Sequence, residues 1–172
     1  MYSGSRLSVL STEYQVPSTE YQVPSTRSIV VGFVLGGGGG ALKTLSQLAK
    51  WGLGGTVGNG RQYISWIHER DMDRLFLQAI KRGDFAGNYN ATGPNPVTNK
   101  EFMRELRAVL GRPWSPPAPA WAVHIGSALM GTEACLALTG RRAIPKRLQA
   151  GGFEFEFPEL RGALGEIFKR KE

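Results

Sequence analysis

Five consecutive glycines, residues 36–40, stand between an apolar run at 29–35 and a helix-forming stretch from Ala41, so the chain reads strand, glycine loop, helix. In that order, glycines let the backbone approach a phosphate while the helix N-terminus offers unpaired N–H groups to its charge. The run formally satisfies the dinucleotide pattern G-x-G-x-x-G/A, yet five glycines satisfy almost any glycine pattern. A dinucleotide loop is also followed about 20 residues later by an acid that takes the ribose hydroxyls. The window at 54–62 contains neither Asp nor Glu. A structural turn or a loop for another ligand is therefore the stronger reading, and the loop's place in a larger pattern matters more than its glycines.

A chain of 172 residues suits one domain with an ordinary core. Cys135, the single cysteine, sits among Ala134, Leu136 and Ala137 and reads as a small apolar residue; His124, the nearest histidine in sequence, completes no catalytic motif with it. No stretch approaches the roughly 18 apolar residues of a membrane span, so a soluble, cytoplasmic protein and no membrane partner are expected. The net charge of +7 gathers in part at Arg141, Arg142, Lys146 and Arg147 and in the tail Lys169, Arg170, Lys171. No aromatic residues interleave to stack bases, so a solvated basic face is expected rather than a nucleic-acid site.

Three regions follow from the text. Residues 1–28 hold STEYQVP twice, at 11–17 and 18–24, with little apolar mass, and read as disordered. They resemble no targeting peptide, since there is no long apolar core and Glu13 and Glu20 balance Arg6 and Arg27. Residues 29–111 alternate strand-like and helix-like segments, and residues 112–172 are mainly helical text.

Within the second region, Leu42, Leu45, Leu48 and Ala49 predict a helix over 41–51, ended by Gly52. A second glycine-rich loop at 52–60 leads to a strand at 61–67. Met72, Leu75, Phe76, Ala79 and Ile80 then give a helix over 68–81 with one buried stripe. A strand at 87–92 and a GPNP turn precede Thr98 and Glu101, a capping box for a helix carrying Phe102, Leu106, Val109 and Leu110. A proline-broken linker at 112–119, helical text at 120–138, a short helix at 145–149, an alternating strand at 153–157 and a helix at 158–168 complete the chain, with Pro145 and Pro158 at first helical positions.

The order of four segments, GFVLGGGGGAL, WGLGGTVGNGRQYISWIHERDM, GNYNATGPNPVTNKEF and RRAIPKRLQAGGFEFEFPELRGAL, resembles the C-terminal half of epimerase-family proteins within the atypical extended short-chain dehydrogenase/reductases. The resemblance runs from about residue 32 to residue 167. It implies an α/β fold: a partial Rossmann-type sheet, comprising its last two strands, with a mainly helical C-terminal substrate-side lobe. Residues 29–35 would be strand six and residues 87–92 strand seven. The family's dinucleotide fingerprint lies on its first strand, so NAD(P) is the cofactor of the full-length family and none is expected to bind this chain tightly alone. The family places an Arg just before the strand's glycine, where Val30 and Val31 precede Gly32. No Tyr-x-x-x-Lys pair is present, because Tyr2, Tyr14, Tyr21, Tyr63 and Tyr89 are followed at that spacing by Arg6, Ser18, Ser25, Ile67 and Gly93. No catalytic residue is assigned.

Two functions fit. One is the substrate-lobe half of an NAD(P)-dependent epimerase- or reductase-like protein, inactive alone and with an unnamed small-molecule substrate. The other is a non-catalytic binding or assembly module. In the family's sheet, strand six has strand five on one side, so this chain is expected to self-associate or pair with another chain through an open sheet edge.

Candidate substrate contacts are Arg61, Tyr63, Trp66, His68, Asn90 and Asn95; Gly32 and Gly36 are the candidate cofactor contacts. Arg61 offers a planar fork to a phosphate or carboxylate, or is an exposed strand-end charge. His68 is a polar contact or, preferentially, a helix cap or a buried hydrogen-bonded histidine. Tyr63 and Trp66 line a pocket or fill a core. Asn90, Asn95 and Asn99 cluster around the GPNP turn, whose own chemistry accounts for Asn95. No metal site is expected, since His68, Asp71 and Asp73 do not share a helical face.

Overall fold

The computed structural model describes residues 27–82, 85, 87–112, 114–116 and 140–169. The repeats at 11–24, the helical text at 120–138, Cys135 and His124 lie outside the described residues. In chain order come β1 (Arg27–Val31), β2 (Phe33–Leu35), α1 (Gly40–Lys50), β3 (Tyr63–Ile64), β4 (Trp66–His68) and α2 (Glu69–Lys81). They are followed by β5 (Gly87–Ala91), β6 (Val97–Thr98), α3 (Asn99–Val109), α4 (Lys146–Ala150) and α5 (Leu160–Lys169). The result is a mixed α/β fold with small parallel sheets.

The apolar run expected as one strand is two strands with different partners. β1 runs parallel to β5, with Ile29 opposite Tyr89 and Val31 opposite Ala91, whereas β2 runs parallel to β4, with Phe33 opposite Trp66 and Leu35 opposite His68. Gly32 N donates to Ala91 O at 3.1 Å and Phe33 N to Ser65 O at 2.7 Å. Gly93 N donates to the carbonyl of Trp66. The carbonyls of Ser65 and Trp66 point to opposite edges of their strand, so β4 is wedged between β2 and the chain that follows β5. Consecutive amides at 32 and 33 therefore face the same side, which a regular strand cannot achieve, and the ladder breaks there. A Cβ at residue 32 would collide with Ser65 O and lie 2.8 Å from Thr92 Cγ2, so the fork requires glycine.

The strand expected over 61–67 is likewise divided. Tyr63 and Ile64 pair antiparallel with Thr98 and Val97, while Trp66 to His68 join β2. Between them, Ser65 Oγ donates to Arg141 O at 2.7 Å and accepts from Ala143 N at 2.8 Å, tying the later chain across the strands.

Because side chains alternate along a strand, neighbours in β4 enter separate cores. Trp66 packs with Leu35, Leu42, Phe102, Leu106 and Leu164 from β2, α1, α3 and α5. Ile67 packs with Met72, Leu75, Ala91 and Leu148 from α2, β5 and α4. Both faces of β4 are therefore covered, as is usual for a strand in parallel pairing. Thr98 Oγ1 accepts from Glu101 N at 3.3 Å, the cap that the sequence signals. Gly111, at φ +67°, follows the end of α3.

Three local expectations are corrected. Phe76 and Ile80, expected in the buried stripe of α2, are exposed at 41% and 74%; the stripe is narrower and includes Asp71. Residues 153–157 form no strand, because two of their N–H groups bond a carboxylate instead of a ladder, as described below. Pro145 caps α4 and Pro158 precedes α5, so neither occupies a first helical position. Among the described residues, no helix is long and apolar enough to cross a membrane.

Candidate functional site

The carboxyl ends of β2 and β4 meet the glycine run at the start of α2. His68 closes β4 and is wholly buried. Its Nδ1 accepts from Arg70 N at 3.2 Å, so the ring caps α2. With Nδ1 accepting, the proton sits on Nε2, which donates to Glu166 Oε2 on α5 at 3.2 Å. Phe157 stacks on the imidazole at 3.9 Å between centroids. Arg70 reaches Glu166 Oε1 at 3.5 Å, pairs with Glu156 and lies over the Phe157 ring. The sequence reading of His68 as cap and as buried, hydrogen-bonded histidine describes both contacts.

Asp71, one turn on, is fully buried and was not singled out as a site residue. Its Oδ1 accepts from Glu156 N at 2.8 Å and Arg74 Nη1 at 3.2 Å, and its Oδ2 from Phe157 N at 3.0 Å. A carboxylate holding two backbone amides and a guanidinium fixes the 153–157 segment against α2. The available signal was an acid within the apolar stripe, three residues after His68 and four before Leu75.

The glycine run is already engaged by the protein. Glu69 Oε2 accepts from Gly37 N at 3.3 Å, and a Cβ at residue 36 would strike that carboxylate. That contact ties the first part of the run to α2, while Gly38, Gly39 and Gly40 have open space beside them. Gly39, ahead of α1, provides no side-chain cap. Packing within the chain thus accounts for both Gly32 and Gly36.

The remaining candidates fall into two groups. Trp66 and Asn95 come together: Trp66 Nε1 donates to Asn95 O at 2.9 Å, and Asn95 Nδ2 donates to Glu159 Oε1 at 2.7 Å and Pro158 O at 3.3 Å, tying the turn to the start of α5. Tyr63 is half-exposed beneath the Arg142 guanidinium, 5.3 Å from its ring centre. Asn90 Nδ2 donates to Ile144 O at 3.3 Å. Arg61 is exposed and, among the described residues, only its backbone N–H is bonded, to Asn59 Oδ1 at 3.0 Å. No contact among the described residues joins Arg61 or Asn90 to the His68 cluster. No group of three metal-ligating side chains is present among the described residues.

A family model described as a domain of unknown function (DUF1731) matches residues 118–167. The chain is 40% identical over 144 residues to the epimerase family protein SDR39U1 of Mus musculus, covering 82% of this chain and 48% of that protein. It is 35% identical over 128 residues to the epimerase family protein YfhF of Bacillus subtilis, covering 74% of this chain and 41% of that one. The crystal structure of human SDR39U1 (isoform 2) with NADPH superposes with a TM-score of 0.74 at 38% identity, covering 84% of this chain and 49% of that structure. The chain spans about half the length of the curated relatives it matches.

Proposed function

We propose, since the chain belongs to the epimerase family of the atypical short-chain dehydrogenase/reductases, that these residues are the substrate-side half of an NAD(P)-dependent epimerase- or reductase-like protein. By themselves they hold no cofactor tightly and turn over no substrate. The observation that carries this reading is the pairing of two facts. The chain superposes on about half of a structure solved with NADPH, and the Gly37 amide of its own glycine run is taken by Glu69. Arg61 and Tyr63 are the exposed candidates for contact with a small polar molecule, while His68, Trp66 and Asn95 serve the fold, holding α5 and its approach through Glu166 and Glu159. Calorimetric titration of the purified chain with NADPH is expected to give no saturable heat at micromolar concentrations. Tight, stoichiometric binding would overturn the reading.

A second reading, a non-catalytic module that pairs with another chain, is favoured by one observation. β1 has a strand on one edge only among the described residues, and Val30 and Val31 are 58% and 45% exposed. Parallel strands are ordinarily buried, and an apolar open edge invites pairing. Sedimentation velocity that finds a concentration-independent monomer, with no partner retained in co-purification, would remove it.

A further inference from the structure

The second glycine-rich loop, residues 52–60, builds a cleft that the cofactor reading does not use. Gly60, at φ +69°, brings Thr56 against Lys100: a Cβ there would strike Thr56 Cγ2 and lie 3.0 Å from Lys100 Cβ. Val57 N donates to Asn99 Oδ1 at 2.9 Å and Lys100 N to Gly60 O at 3.1 Å, locking the loop onto the start of α3. The cleft, open to solvent, has a volume of about 390 Å³ and is lined by Thr56, Thr98, Lys100, Glu101, Arg104 and Arg107.

The charge of this lining is uneven. Arg104 is engaged by Glu101 at 3.8 Å and by Glu105 at 2.9 Å. Lys100 and Arg107 have no carboxylate partner among the described residues. Arg107 uses Nη1 to hold Gly54 O at 2.7 Å, and its buried Nε has no acceptor among the described residues. A guanidinium carries five donors, and the bond to Gly54 O uses one of them, leaving others on the terminal nitrogens for the cleft. Thr98 Oγ1 accepts from Glu101 N, leaving its hydroxyl proton to donate outward. The first three amides of α3 are already bonded, to Gln62 O, Gly60 O and Thr98 Oγ1, so the helix contributes its field and the side chains make the contacts.

We propose that this cleft binds a small phosphate-bearing anion, held by Arg107 and Lys100 with Thr56 and Thr98 as hydroxyl donors. The Arg107 fork and the Lys100 ammonium both line the cleft, and a phosphate's several oxygens can take donors from each. The proposal is independent of whether the chain binds NAD(P). Inorganic phosphate, titrated into the full chain at constant ionic strength, raises its melting temperature where chloride does not. Lys100→Met, at an exposed position, leaves the phosphate-free melt unchanged and weakens phosphate at least about tenfold, and Arg107→Lys weakens it similarly. Glu101→Gln tightens it. A larger response to AMP than to phosphate assigns the cleft to a phosphate monoester, and the reverse to the free oxyanion. An equal response to chloride, or an unaltered response in Lys100→Met, overturns the proposal.

Discussion

β4 and β1 belong to the same small parallel framework and are built of similar apolar residues, but their surroundings differ. β4 has β2 on one edge and the chain after β5 on the other, with Trp66 and Ile67 fully buried on opposite faces. Among the described residues β1 has only β5 beside it, and Val30 and Val31 are exposed. The contrast shows where the described structure is most closely tied: at the fork around β4, which Gly32, Ser65 and Gly93 hold to its neighbours, and not along β1. The stability of the chain is thus concentrated on one side of its sheet.

Substitutions sharpen that comparison in order of size. Trp66→Ala removes the largest fully buried side chain and its bond to Asn95 O, and is expected to cost about 3–5 kcal/mol by denaturant unfolding. Asp71→Ala leaves the Glu156 and Phe157 amides without their acceptor, at roughly 1–3 kcal/mol for each group that stays buried. It also frees the 153–157 segment, detectable as faster amide exchange there. Gly32→Ala forces the fork apart and is expected to destabilise by about 1–3 kcal/mol. Val31→Lys, on the open edge, is expected to change stability by no more than about 0.5 kcal/mol while reducing self-association in sedimentation. A Val31→Lys cost as large as that of Trp66→Ala would break the comparison, because it would mean that β1 is covered.

The helices were legible because their signals are local. The period of Leu42 and Ala49, the stripe of Met72, Leu75 and Ala79 and the Thr98 cap each lie within one element. The strands were legible as apolar text but not as pairs, since periodicity reports which face is buried and says nothing of a partner 30 or more residues away. Gly32 therefore hid inside one apparent strand. The alternation at Phe153, Phe155 and Phe157 suggested a ladder, but the amides of Glu156 and Phe157 bond Asp71, across 85 and 86 residues. At the site, His68 could be read from its place ahead of a helix. Its partner Glu166, 98 residues on, carried no signal of its own. Resemblance supplied the family, and no single motif could have done so.

Amide hydrogen exchange across residues 28–35, measured on dilute full-length chain, tests the central claim directly. Gly32 N bonds Ala91 O, and alternation along β1 turns the Ile29 and Val31 amides to the opposite edge. The open-edge account predicts fast exchange at Ile29 and Val31 beside protected amides at Val30, Gly32 and Phe33. Equal protection at all five would mean that a strand already covers β1, and would contradict it.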